Sequence, residues 1–74
     1  MLIKVNTRDK EWKAPTVTYN EVVALAELPN AENRVYTITY AHGSLIQPEG
    51  SLVQGQDVTV IDGMIFNVSL TNNA

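Results

Sequence analysis

Apolar and polar positions alternate most sharply near the end of the chain. In Met64-Ile-Phe-Asn-Val-Ser-Leu70, the residues Met64, Phe66, Val68 and Leu70 share one face, while Ile65, Asn67 and Ser69 share the other. A period of two is that of a half-buried strand. Asp57-Val-Thr-Val-Ile61 just before it is also rich in β-formers. The two residues between the runs, Asp62-Gly63, suit the positive φ angles of a type I′ turn, so the pattern predicts a β-hairpin. Thr71-Asn-Asn-Ala74 has no large apolar group to bury and is expected to leave the sheet as a mobile terminus with an accessible carboxylate.

Earlier in the chain the same alternation predicts a first strand over residues 2–6, with Ile3 and Val5 opposite Leu2 and Lys4. Residues 7–10 are polar and read as a turn, and Glu11-Trp-Lys-Ala14 as a second strand that Pro15 ends or edges. The period then changes. Thr18-Tyr-Asn-Glu21 matches a capping box, flanked by Val17 and Val22 at the staple positions. Val22, Leu25 and Ala26 recur on one helical face. Leu28-Pro29-Asn30 should stop the helix at about ten residues, too short to stand alone, so it must lie on an apolar surface. Residues 34–40 form a further strand with β-formers on both faces, so the buried face stays open. Residues 41–55 contain Gly43, Gly50, Gly55 and Pro48 and read as a loop, with at most a strand fragment at Leu45-Ile46, and with Leu52 and Val53 tucked beneath it.

The order ββαβββ, with one helix to cover one face of a small sheet, gives an α+β fold of two layers. The economical solution is a β-grasp, a mixed four- to five-stranded sheet packed on one helix, with its other face largely wet. Residues 1–70 are expected to be the domain and 71–74 its tail.

Composition narrows the function more by exclusion than by indication. The 74 residues contain no cysteine, which removes thiol nucleophiles, disulfides and thiolate metal sites. The net charge of −3 argues against nucleic acid as a partner. Apolar runs are too short to span a bilayer and no signal-peptide pattern is present, so a cytoplasmic location without membrane association is expected. His42 is the single histidine and the carboxylates are scattered, so no catalytic group, metal site or cofactor is expected and the chain reads as a non-enzyme. Asn67-Val-Ser69 matches a glycosylation acceptor only formally, within a strand. Trp12 is expected at or near the core and Tyr19 half exposed at the start of the helix. On the uncovered face Leu2 and Ile65, with Thr59 or Ile61 close by, would make a small apolar patch where a partner could dock.

Taken together, Ile3-Lys-Val-Asn6, Trp12 with Pro15, the helix from Thr18 to Ala26, Tyr36-Thr-Ile-Thr-Tyr40, Pro48-Glu-Gly50, Leu52 to Gly55 and Asp62-Gly-Met-Ile-Phe-Asn-Val68 form an ordered set. In that set the chain resembles the bacterial multiubiquitin family of ubiquitin-like β-grasp domains over nearly its whole length. The stretch Leu52, Gly55 and Val58 is also similar to the loop before the last strands of sulfur-carrier β-grasp proteins. The family resemblance implies a protein modifier, monomeric, rather than an enzyme. Its implied partners are a ThiF-like ATP-dependent activating enzyme, a conjugating enzyme, a processing or deconjugating metallopeptidase and target proteins, in operons linked to anti-phage defence. The conjugation terminus would be Asn72, Asn73 and Ala74, with removal of Ala74 leaving Asn73 as the reactive carboxylate. Lys4, Lys10 and Lys13 would be the acceptors for self-conjugation. The sequence departs from ubiquitin and the sulfur carriers in lacking a terminal diglycine. The competing readings are a non-conjugated β-grasp binding module and a sulfur carrier.

Overall fold

The computed structural model describes residues 1–28 and 35–71. In chain order it contains β1 (Leu2–Val5), β2 (Arg8–Glu11), β3 (Thr16–Thr18), α1 (Tyr19–Leu25), β4 (Val35–Ala41), β5 (Gly50–Leu52), β6 (Asp57–Thr59) and β7 (Ile65–Thr71). Five strands form a mixed sheet in the order β2-β1-β7-β4-β5, and β3 and β6 pair in a small second sheet. The single helix against a mixed five-stranded sheet makes this a small α+β domain of the β-grasp type.

The first hairpin turns earlier than its polarity suggests. Asn6 and Thr7 both have positive φ (51° and 69°), the signature of a two-residue type I′ turn. Residues 8–10, expected in the turn, are therefore in β2, and the strand expected over residues 11–14 is shifted toward the N-terminus. Arg8-Asp-Lys-Glu11 looks like a loop because it is charged throughout. At a sheet edge, charge is what keeps a strand from pairing with another chain. Trp12 follows the strand, half-buried against the core, with its indole N–H donating to the Thr16 carbonyl at 3.0 Å.

The capping box forms as expected. Thr18 Oγ1 accepts from the Glu21 N–H at 3.2 Å, and the Thr18 N–H donates to Glu21 Oε1 at 2.9 Å. Val17 and Val22 are fully buried on either side of the cap. The helix ends at Leu25, ahead of the expected stop near Leu28, because Ala26 caps it and Glu27 turns to φ 58°. Pro29 and Asn30 lie outside the described residues, as does Arg34. Tyr19 corrects its expected half-exposure. It is 5% exposed, and its hydroxyl accepts the Tyr36 N–H at 2.7 Å, tying the first helical residue to β4.

On β4 the buried face is Tyr36, Ile38 and Tyr40, which resolves a choice that the sequence left open. Phe66, Ile3, Ile38, Met64, Val5, Val17 and Val22 fill the space between sheet and helix. Leu52 joins them, whereas Val53 turns outward at 51% exposure. The fragment expected at Leu45-Ile46 is not a strand. Both side chains stand free in solvent on a loop closed by Gly43 N–H to the Pro48 carbonyl, and the strand is Gly50–Leu52.

The largest correction concerns the expected C-terminal hairpin. β6 pairs with β3, matching Thr16 with Thr59, Val17 with Val58 and Thr18 with Asp57, and β7 lies between β1 and β4. Ile61 to Met64 does make a turn, with the Met64 N–H donating to the Ile61 carbonyl. Only Gly63 in it has positive φ (87°), the pattern of a type II rather than a type I′ turn. It docks on β1. Asp62 Oδ1 accepts the Leu2 N–H and the Gly63 N–H donates to the Leu2 carbonyl, both at 2.7 Å. Local turn chemistry was legible, but its partner was the distant N-terminal strand.

Candidate functional site

The two faces of the five-stranded sheet differ in chemistry. Cross-strand register places Lys4, Ile65 and Ala41 in one row of the outer face, then Asn67, Thr39 and Ser51, then Ser69 with Thr37, and finally Thr71 with Val35. Side chains directly opposite one another share a face, so this surface is a ladder of hydroxyls and amides with an apolar corner. Thr37 and Thr71 join their hydroxyls in a hydrogen bond across it.

Of the residues expected to form a docking patch, Leu2 and Ile65 do share this face. Leu2 is 48% exposed and lies two positions before Lys4, which pairs with Ile65. Thr59 is a correction. It belongs to β6 in the second sheet, opposite Thr16, because the hairpin that would have carried it onto the outer face does not form. Ile61 is 37% exposed in the segment leading to the turn that docks on Leu2. The patch thus reduces to Leu2, Ile65 and Ala41 beside Lys4.

The three lysines lie on the β1–β2 side. Lys4 Nζ is 2.9 Å from Asp9 Oδ1, and Lys10 Nζ is 3.7 Å from Glu27 Oε2, which also receives Arg8 at 2.8 Å. Lys13 is exposed and joins none of the ion pairs found among the described residues. The Lys4 pair is largely solvated, so it contributes roughly 0–1 kcal/mol and leaves the amine accessible to chemistry, whereas the Lys10 side chain is only 23% exposed.

At the working end expected from the sequence, Thr71 is still in β7, paired with Val35. Asn72, Asn73 and Ala74 lie outside the described residues. Sequence patterning missed two features just ahead of them. Leu70, expected in the core, is 53% exposed, at a point where β7 has run past its pairing with β1. Asn6 uses its side-chain amide as a substitute for a strand backbone: Nδ2 donates to the Val68 carbonyl at 3.0 Å, and Oδ1 accepts the Val68 N–H at 2.8 Å. Neither feature has a local sequence signal, since both depend on the unequal reach of two strands far apart in the chain.

Among the described residues no group of three or more His, Cys, Asp or Glu is placed to hold a metal, and no helix is long and apolar enough to cross a membrane. The central strand β7, between β1 and β4, is the element that leads to the C-terminal residues. A family model described as multiubiquitin matches residues 1–72. The chain belongs to the multiubiquitin family. The comparison with curated proteins and that with solved structures each gave no match. The multiubiquitin match takes in all eight elements of the domain, and it is a ubiquitin-like module.

Proposed function

We propose that this multiubiquitin domain is a bacterial protein modifier, joined to target proteins through its C-terminal carboxylate. One observation supports this above the others. β7 is held between β1 and β4 and runs extended to Thr71, so the last residues leave a fixed head from its central strand. A modifier needs a head for recognition and a slim extension that reaches an active site. Its chemistry belongs to its partners, and the domain itself is not an enzyme.

The carboxylate attacks the α-phosphorus of ATP on a ThiF-like enzyme, forming an acyl-adenylate and releasing pyrophosphate. An enzyme thiolate then displaces AMP to give a thioester. A target lysine amine attacks that carbonyl, forming the isopeptide bond and returning the thiol. Where Ala74 is present, a metallopeptidase first hydrolyses the Asn73–Ala74 bond with water, leaving Asn73 as the acyl group. Lys13 and the weakly paired Lys4 and Lys10 are the amines that a second copy would offer. Such a pathway operates in the cytoplasm, where ATP is available, and anti-phage defence is the setting that the family suggests.

Intact-mass spectrometry tests this directly, with the domain incubated with ATP and the enzymes encoded beside its gene. A heavier species, mapped by peptide analysis to an acyl bond at Asn73 or Ala74, is the expected outcome. An unchanged mass with enzymes shown to be active would instead favour a non-conjugated binding module, for which the corner of Leu2, Ile65 and Ala41 is the surface to mutate.

A further inference from the structure

Along β7 the backbone alternates its hydrogen bonds between two neighbours. All seven of its residues lie opposite β4, Leu70 opposite Tyr36, and the alternation makes Ile65, Asn67, Ser69 and Thr71 the ones that bond to Ala41, Thr39, Thr37 and Val35. The intervening residues turn to the β1 side. There the Phe66 carbonyl accepts the Asn6 N–H at 3.0 Å, and Val68 is satisfied at both N–H and carbonyl by the Asn6 amide. By the same alternation Leu70 presents its N–H and carbonyl to that side. β1 has by then turned away through Asn6 and Thr7, and among the described residues Leu70 has no partner there. Its side chain is 53% exposed.

From this we propose that the open edge of β7 at Leu70 is the docking site for an extended segment of the activating enzyme that receives the C-terminal tail, added as a short strand in the place that β1 vacates. It rests on the proposed modifier function and specifies how the tail is presented. Three features fix the occupant's chemistry. The donor and acceptor of Leu70, unpaired on this side among the described residues, are matched by any extended backbone, the mode of recognition in which an edge accepts a further strand. The Asn6 amide shows that this edge accepts backbone-like partners one step upstream, and its bonds stop the intramolecular ladder at Val68. The exposed Leu70 side chain asks for an apolar residue in the incoming segment. Because Leu70 lies one residue before the last described position of β7, a strand added there would also align the residues that follow.

Leu70→Pro removes the free N–H together with the exposed leucine side chain. Proline is tolerated in a strand where its N–H side faces solvent, and this N–H serves no bond within the described fold. Far-UV circular dichroism and the melting temperature establish that the variant folds. Pyrophosphate release by a ThiF-like activating enzyme from the same source then gives KM for the domain. Hydrogen exchange of the wild-type Leu70 amide, with that enzyme bound and ATP absent, is an independent measure that needs no variant. Strand addition predicts a KM raised by roughly three- to tenfold or more for the lost hydrogen bond. It also predicts an amide that exchanges freely alone and slowly in the complex. An unchanged KM together with an unprotected Leu70 amide would overturn strand addition while leaving the modifier function standing. Failure of the wild-type domain to release pyrophosphate with active enzyme would remove the function itself, and this inference with it.

Discussion

Thr7 carries a conformational cost that its neighbour Asn6 does not. Both have positive φ, but asparagine tolerates the left-handed region, whereas a β-branched residue there is strained. Thr7→Gly should therefore stabilise the domain, by up to about 1–2 kcal/mol less glycine's own entropy cost. A rise in the urea midpoint at constant slope checks this. Tyr19 is the opposite case, a residue whose polar atom is indispensable. Removing its hydroxyl in Tyr19→Phe takes the acceptor from a buried Tyr36 N–H while leaving the ring in the core. A loss of about 1–3 kcal/mol is expected, read from the same unfolding curve. Sequence pattern placed Tyr19 correctly at the first helical position but not in the core. Its burial is decided by β4 passing over it, a contact between residues 17 positions apart.

At the level of elements, the helix was legible because its instructions are local. Thr18, Glu21, Val17 and Val22 lie within six consecutive residues, and the structure uses all four as the spacing implies. Thr18→Ala should cost about 1 kcal/mol, typical of a lost N-cap. Thermal denaturation followed at 222 nm would show it, and Thr18→Asp, which restores an acceptor, should recover most of the loss. The strands were legible as strands but not as pairs. Asp57–Thr59 has the composition of a hairpin arm, yet its partner is Thr16–Thr18, hidden behind Pro15 in a stretch too short to show alternation. β2 was displaced for a different reason, since its charges serve the edge of the sheet rather than a loop. The candidate site suffered accordingly. Leu2 and Ile65 were placed on the right face by period alone, Thr59 was lost with the hairpin, and the Leu70 edge depended on how far β1 runs beside β7.

For the molecule as a whole, β7 is the central strand of the larger sheet, paired with β4 along its whole length and with β1 only over its first residues. Native-state hydrogen exchange should therefore rank the domain sharply. The amides of Asn67 and Val68 should be among the slowest, while Leu70 on the same strand should exchange far faster in the isolated protein, as should the loop bearing Leu45 and Ile46. Equal protection of Val68 and Leu70 would show that the edge of β7 is covered after all.

The parallel pairing of β1 and β7 has a mechanical consequence. Parallel neighbours carry the first and last strands of the domain toward the same end of the sheet, so the chain enters beside Leu2 and leaves beyond Thr71 at opposite ends of that pair. Tension applied between these points pulls the two strands past each other. The bonds from Lys4 to Met64, from Asn6 to Phe66 and from the Asn6 amide to Val68 are then loaded together instead of opening in turn. A domain attached by its tail and pulled from its start is thus gripped along its strongest direction, so a machine that extracts or unfolds what it is attached to would meet its greatest resistance there.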